Sequence, residues 1–372
     1  MRRLGIDARK LADFGIGTYL QGLLGELTEL DPPGGLVLLV SRETLDLLPT
    51  LPESWRIVEV EAPGYSIREQ VTVVTAALRA GVSVLHVPHY VVPLFFPGRL
   101  VVTIHDIIHV LFPEFLPHAL AFAYARWAIR VAVKRARRLV VASESTAHDL
   151  ERLFGANGTR LHVIPLGVGP EFLAPGNPSE DEALRRRLGV PPRYLLHVGN
   201  HKPHKNAEGL LKAYQLLVQG ERVEAPPLVM VGGFPPDGAL AQRASAMLLG
   251  ERIRCLGHVQ RDELAALYRG ALAFLYPTLY EGFGLTVLEA MACGVPVIAG
   301  DVPAVREVGG DAVLRVNPRD VVELVAAVRR VLEQKDVQED MRERGRKRAR
   351  EFVWRRAAEA TLAVYRSVQE ET

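Results

Sequence analysis

The chain has 372 residues, too many for one ordinary hydrophobic core and enough for two domains of roughly 150–200 residues each. Hydrophobic residues make up 48% and charged residues 24%, a globular balance that excludes a disordered chain. Lys+Arg 45 against Asp+Glu 43 leaves a formal charge of +2, which excludes a chain-wide polycation for nucleic acid but not a local basic patch.

The start, Met1-Arg2-Arg3-Leu4-Gly5-Ile6-Asp7, reaches a carboxylate before any signal-peptide core could form, and no apolar run approaches the roughly 18–20 residues of a membrane span. The expected localisation is cytoplasmic. Short apolar runs at 3–7, 36–40, 57–60, 84–87, 100–105 and 139–142 read as strands, with helical stretches between them. A second set follows at 194–198, 228–231, 253–256, 273–276, 295–299 and 312–316. Runs apolar at nearly every position are buried on both faces, which implies parallel sheets covered by helices. The densest Pro/Gly stretch, 165–178, divides the two sets and is the expected linker. Beyond 317 the chain is helical, with Leu362 and Tyr365 on one face of an amphipathic last segment that needs a docking surface. The two cysteines, Cys255 and Cys293, exclude a disulfide framework and a multi-thiolate zinc site, and read as small apolar fillers.

Ligands of open α/β sheets bind beyond the carboxyl ends of the strands, so polar residues there are the candidates. After the first strand, Gly15-Ile16-Gly17-Thr18-Tyr19 opens a helix, where glycines and free amides suit an anion. It is not a dinucleotide fingerprint, because Leu20 stands where the third glycine belongs, and there is no Gly-Lys pair for a Walker A loop. His105-Asp106 is expected to close the strand 100–105, with the acid able to fix the histidine tautomer. His86, near another strand end, reads as structural or acceptor-lining. Lys202 and Lys205 lie at a strand-to-helix turn suited to a diphosphate. The strongest stretch runs from Tyr280 to Pro296. Glu281 sits over a helix start made by Gly282-Phe283-Gly284-Leu285, Glu289 projects from an otherwise apolar helix, and Gly294 ends it. A carboxylate accepting sugar hydroxyls gains about 1.5–3 kcal/mol per charge-assisted hydrogen bond.

The Glu281-x7-Glu289 pattern around Gly-Phe-Gly-Leu resembles the donor-site signature of the retaining glycosyltransferases of family 4, and the resemblance covers nearly the whole chain. Asp7-Ala8-Arg9, Phe112-Pro113-Glu114, Ser143-Glu144-Ser145, Gly199 with Lys205-Asn206, and Val305-Arg306-Glu307 carry it further. It implies the α/β GT-B fold, two Rossmann-like domains with parallel sheets facing across a cleft. Residues 1–168 would bind the acceptor, residues 169–354 the nucleotide-sugar donor, and a helix at 355–372 would cross back to the first domain. By the same resemblance, Glu289 binds the ribose hydroxyls and Glu281 the transferred sugar. Amides at Phe283, Gly284 and Leu285 face phosphates or sugar, and Lys205 neutralises the diphosphate. Gly15 and Gly17 complete the cradle, and His105, with Asp106 beside it, lines the acceptor side. Many members carry an Arg where this chain has Asn200, and those with Asn there resemble bacterial mannosyltransferases of surface-polysaccharide assembly, which leans the donor toward GDP-mannose rather than a UDP-sugar.

The expected reaction is retaining transfer of a hexose to a glycan or lipid-linked sugar, with no cofactor. No Asp-x-Asp pair is present, so no metal clamp is expected. An epimerase or phosphorylase on the same fold, and a non-catalytic nucleotide-sugar binder, are the competing readings. Arg126, Arg130, Lys134, Arg137 and Arg138 recur at near-helical spacing. A solvated helix face ranks first for them, and peripheral contact with anionic membrane second.

Overall fold

The computed structural model describes residues 2–371 except 33, 65, 117, 157 and 221–223. Thr372, the end of the expected returning helix, lies outside the described residues. The chain divides into two compact units, Met1–Gly167 with Val353–Thr372, and Val168–Phe352. The boundary falls inside the Pro/Gly stretch 165–178.

The first unit holds a parallel sheet of strands β1 (Arg3–Asp7), β2 (Leu36–Val40), β3 (Arg56–Glu59), β4 (Val82–Val87), β5 (Arg99–Thr103), β6 (Ala136–Val141) and β7 (Leu161–Val163), in the order β3-β2-β1-β4-β5-β6-β7. All five residues of Leu-Val-Leu-Leu-Val in β2 are buried, as double-sided cover requires. β7 escapes the apolar-run criterion because it is a three-residue edge strand, half-buried throughout, with a histidine at its centre. β5 stops at Thr103, earlier than expected. Ile104 N still donates to Val140 O at 2.9 Å, but His105 and Asp106 lie beyond the strand in the following loop. The expected basic helix also ends early. Helix Ala119–Arg135 runs straight into β6, so Arg137 and Arg138 are strand residues, where both pair with Glu371.

Helix Trp354–Glu370 packs within this unit against helix Phe14–Leu30. Leu362 and Tyr365 are on its buried face. A buried polar chain fastens it: His86 lies between the Tyr365 hydroxyl (2.6 Å) and the Thr103 hydroxyl (2.8 Å), and Thr103 meets the Tyr19 hydroxyl at 3.1 Å. His86 is therefore a structural residue, held neutral by burial, which pulls its pKa down to about 3. The two helices meet at Gly22, where a Cβ would be driven into the Trp354 indole, whereas a Cβ on Gly25 would meet nothing within 4 Å. Gly22→Ala should lose about 1–3 kcal/mol to overpacking. Gly25→Ala, in the same helix, should gain roughly 0.5–1 kcal/mol from helix propensity. Denaturant melts of the two variants check this, and equal effects would contradict the close approach.

The second unit holds a parallel sheet of β8 (Leu195–Gly199), β9 (Leu228–Gly232), β10 (Ile253–Gly257), β11 (Ala273–Tyr276), β12 (Val297–Gly300) and β13 (Val313–Val316), in the order β10-β9-β8-β11-β12-β13. The order reverses between β8 and β11, so the loops leaving their carboxyl ends are neighbours. Both cysteines are free and buried. No helix of the described residues is long and apolar enough to cross a membrane.

Candidate functional site

In the second unit the loop after β8 carries Lys205 and the loop after β11 carries Glu281. Asn206 adopts a left-handed conformation (φ 55°) at the start of helix Ala207–Gln219, and its side-chain amide donates to Pro277 O (3.1 Å) and Pro318 O (2.6 Å). Leu279 N donates to His204 O at 2.7 Å. These bonds tie the two loops together.

Lys205 and Glu281 consequently meet. Lys205 Nζ donates to Glu281 Oε1 (2.8 Å), Glu281 Oε2 (3.0 Å) and the Tyr276 hydroxyl (2.6 Å). Tyr276 and Thr278 hydroxyls both donate to Glu281 Oε1 at 2.8 Å. Burial opposes the charge on Lys205, but Glu281 and the hydrogen bonds outweigh it and raise its pKa; burial likewise opposes ionisation of Glu281, and Lys205 brings its pKa down. Both groups are therefore charged. The lysine expected to face a diphosphate is, in this state, committed to the neighbouring carboxylate. Lys202 is exposed, and Asn200 serves its own loop, accepting from Lys202 N at 3.2 Å.

Glu281 leads into helix Leu285–Cys293. Gly284 takes φ 103°, a conformation open to glycine, and its carbonyl accepts from Val287 N and Leu288 N. Leu285 N and Thr286 N have no intrahelical acceptor, as at any helix start. The Phe283 side chain is buried edge-on against Phe352 at 6.0 Å, so only its backbone can serve a ligand. Gly294, at φ 71°, ends the helix. Glu289 does not project into solvent. It is 6% exposed, with Tyr268 donating to Oε2 at 3.5 Å. Burial, with Glu171 adding to it and Arg261 and Tyr268 opposing, pushes its pKa up to about 7.

In the first unit, Gly15 and Gly17 lie inside the first turn of helix Phe14–Leu30 rather than before it. A Cβ on Gly17 would strike the Leu11 carbonyl, so that glycine is explained by packing, while Gly15 has open space around it. At the end of β1, the Arg9 guanidinium makes two bonds to Asp7 (2.9 and 2.7 Å) and one to Glu69 (2.8 Å). His105 packs edge-on against Tyr19 at 5.0 Å. Burial pulls its pKa down to about 4, against the opposing pull of Asp106 and of the Pro88 backbone. Asp106 Oδ1 accepts from Ile108 N at 3.0 Å instead, so the acid closes the turn. His105 Nε2 is buried and has no partner. On helix Ala119–Arg135, Arg126, Arg130 and Lys134 are exposed beside Leu120, Tyr124 and Trp127. Among the described residues no group of His, Cys, Asp and Glu has the makings of a metal site.

Sequence reasoning missed Tyr276 and Thr278, and named Asn206 only as part of the resemblance. The available signal for Tyr276 was a hydroxyl on the last residue of a buried strand, at the position where ligand groups converge.

Residues 180–348 match the family model for Glycosyl transferases group 1, and residues 15–172 the model for Glycosyltransferase Family 4. The O-antigen chain mannosyltransferase B of Escherichia coli is 30% identical over 321 residues, 86% of this chain and 80% of that protein. The D-inositol 3-phosphate glycosyltransferase of Geodermatophilus obscurus is 33% identical over 250 residues, 64% of this chain and 54% of that protein, so this match spans just over half of that relative. Among solved structures, sucrose-phosphate synthase from Thermosynechococcus elongatus aligns with a TM-score of 0.79 at 22% identity, over 99% of both chains. Anabaena HepE in complex with UDP-glucose aligns with a TM-score of 0.77 at 18% identity, over 99% of this chain and 100% of that one.

Proposed function

The chain belongs to the glycosyltransferases of group 1 and family 4, with the GT-B fold, and on that premise we propose that it moves a hexose from a nucleoside diphosphate sugar to a glycan or lipid-linked sugar with retention of configuration. The observation that carries this reading is the Lys205–Glu281 pair at the strand-order reversal of the second unit, beside the amides of a helix start. A cation for a diphosphate and a carboxylate for sugar hydroxyls stand there within reach of one ligand.

In this reading Glu281 accepts hydroxyls of the transferred sugar. Lys205 and the amides of Phe283, Gly284 and Leu285 meet the phosphates, with no metal clamp and no cofactor. Glu289 takes the ribose hydroxyls. His105 Nε2, buried without a partner, takes a hydroxyl of the acceptor. The acceptor oxygen attacks the anomeric carbon on the face that the phosphate leaves, through an oxocarbenium-like ion pair, and the departing phosphate oxygen takes the acceptor proton. GDP-mannose is favoured by the likeness to a mannosyltransferase and by Asn200; a UDP-sugar is the second reading, favoured by the likeness to a UDP-glucose complex. A panel of GDP- and UDP-sugars, read by melting shift and nucleotide release, tests both. Turnover with GDP-mannose supports the reading, and a panel in which nothing binds or turns over sinks it.

We also infer peripheral contact with anionic membrane through helix Ala119–Arg135, which would put a lipid-linked acceptor in reach. Leu120 is 79% exposed, Tyr124 41% and Trp127 48%, beside the exposed stripe Arg126, Arg130 and Lys134. Each basic residue near an anionic surface contributes roughly 1 kcal/mol. Arg126→Glu with Arg130→Glu should therefore cut co-sedimentation with phosphatidylglycerol vesicles at low salt by about tenfold or more. Absence of binding by the unmodified chain removes the idea.

A further inference from the structure

Glu281 Oε1 is crowded and Oε2 is not. Oε1 accepts from Lys205, Tyr276 and Thr278, whereas Oε2 accepts from Lys205 alone. The three ammonium protons of Lys205 are matched by three acceptors, Oε1, Oε2 and the Tyr276 oxygen. A diphosphate can draw Lys205 away only if Glu281 can stand without it. A carboxylate left in such a site with no donor protonates or becomes costly.

The two hydroxyls are unequal in this respect. Thr278 has two other acceptors in reach, His204 O and Tyr280 O, both at 3.0 Å. Tyr276, 1% exposed, has Glu281 as the acceptor for its single proton and takes a bond from Lys205 on its oxygen. When Lys205 leaves, the Tyr276–Glu281 bond remains and its geometry need not change.

We propose that Tyr276 is a positioning residue for the transfer, whose hydroxyl keeps Glu281 ionised and oriented while Lys205 turns from the carboxylate to the donor phosphates. The two opposite charges of one ion pair then act on two parts of the same donor. This rests on the reading that the second unit takes a nucleoside diphosphate sugar. The groups facing Glu281 are Lys205 and His204 from the loop after β8 and Tyr276 and Thr278 from its own loop and strand. His197 of β8 stands behind Tyr276 at 6.1 Å, with its Nδ1 engaged by Leu275 O.

The test is Tyr276→Phe against Thr278→Val, two single-hydroxyl deletions at one carboxylate oxygen. In Tyr276→Phe, kcat should fall about 10–30-fold with little change in donor KM, the loss of one hydrogen bond to a charged group at the reacting centre. The acid limb of its kcat–pH profile should move up by roughly one pH unit, since the lysine-released carboxylate has lost a donor. Affinity for the nucleoside diphosphate without sugar should stay within about threefold, because Lys205 keeps its charge and loses only an acceptor that it gives up on turning to the phosphates. Thr278→Val should keep the acid limb of the unmodified enzyme. A Tyr276→Phe profile superimposable on the unmodified one, or losses in KM and melting temperature with no movement of the limb, overturns the role of Tyr276 while the donor reading stands. If the unmodified chain binds and turns over no nucleotide sugar, the donor reading falls and takes this proposal with it.

Discussion

Lys205→Met is expected to lower stability by on the order of 3–5 kcal/mol, and Lys205→Met combined with Glu281→Gln to recover most of that loss. The reason is the asymmetry between removing a partly buried ion pair and breaking one. The two side chains are 15% and 11% exposed, and without the ammonium Glu281 keeps its desolvation and loses its main counter-charge. The pH dependence follows from the two shifts. Glu281 is depressed, so its contribution is present above the ordinary carboxylate range and lost as pH falls through its folded value. Lys205 is raised, so its contribution is present below the ordinary lysine range and lost as pH climbs through its folded value. The gap between parent and Lys205→Met should be widest between those ranges and close at acid pH. Denaturant titrations of the full mutant cycle measure it, and strictly additive losses would mean that the pair is not coupled. In activity, Glu281→Gln should lower kcat about 10²–10³-fold while nucleoside diphosphate affinity changes only a few-fold.

Glu289→Gln should raise stability and weaken donor binding at once. The carboxyl of Glu289 is pushed from 4.5 to about 7 by burial. A raised acid favours the neutral form in the folded state. That advantage is fully present below pH 4.5 and is lost as pH rises through 7, where the folded chain must carry a desolvated carboxylate. Gln carries no such burden. The variant should match the parent at pH 4.5 and be more stable at pH 8 by on the order of 2–3 kcal/mol. Binding runs the other way. A carboxylate that accepts two ribose hydroxyls is worth about 1.5–3 kcal/mol per bond, so the variant should bind nucleoside diphosphate at least tenfold more weakly at pH 8. Parent affinity should fall as pH drops from 8 to 6, and the variant should be flat over that range. Calorimetry and melts at three pH values measure both trends. A variant less stable than the parent at pH 8, or a parent affinity indifferent to pH, would contradict the assignment.

Much of this site was legible because its parts are local. Gly284 and Gly294 bracket a helix through left-handed φ values, and an acid on either side of Gly-Phe-Gly is visible in a single stretch. The ends of strand β5 and of the basic helix, which no glycine marks, were not legible. The apolar run predicts His105 at the end of a strand, but β5 ends at Thr103, the sheet bond of Ile104 is the last, and Asp106 closes a turn. Arg137 and Arg138 keep the spacing of the basic helix, yet the backbone has already become β6. Spacing does not reveal a change of backbone conformation between two apolar elements.

The sequence by itself determined two parallel α/β halves, the Pro/Gly break between them, and the local setting of the candidate residues. The reason is that alternation, burial period and glycine conformation are properties of neighbours along the chain. Only the tertiary structure decided how those residues are paired. Lys205 and Glu281 are 76 positions apart, and they meet because the sheet order places β8 beside β11. The same holds for Tyr365 against His86, 279 positions away, and for the burial of Glu289 beneath Tyr268. Which strands become neighbours is set by the packing of whole layers, and the charge state of each site residue follows from that choice.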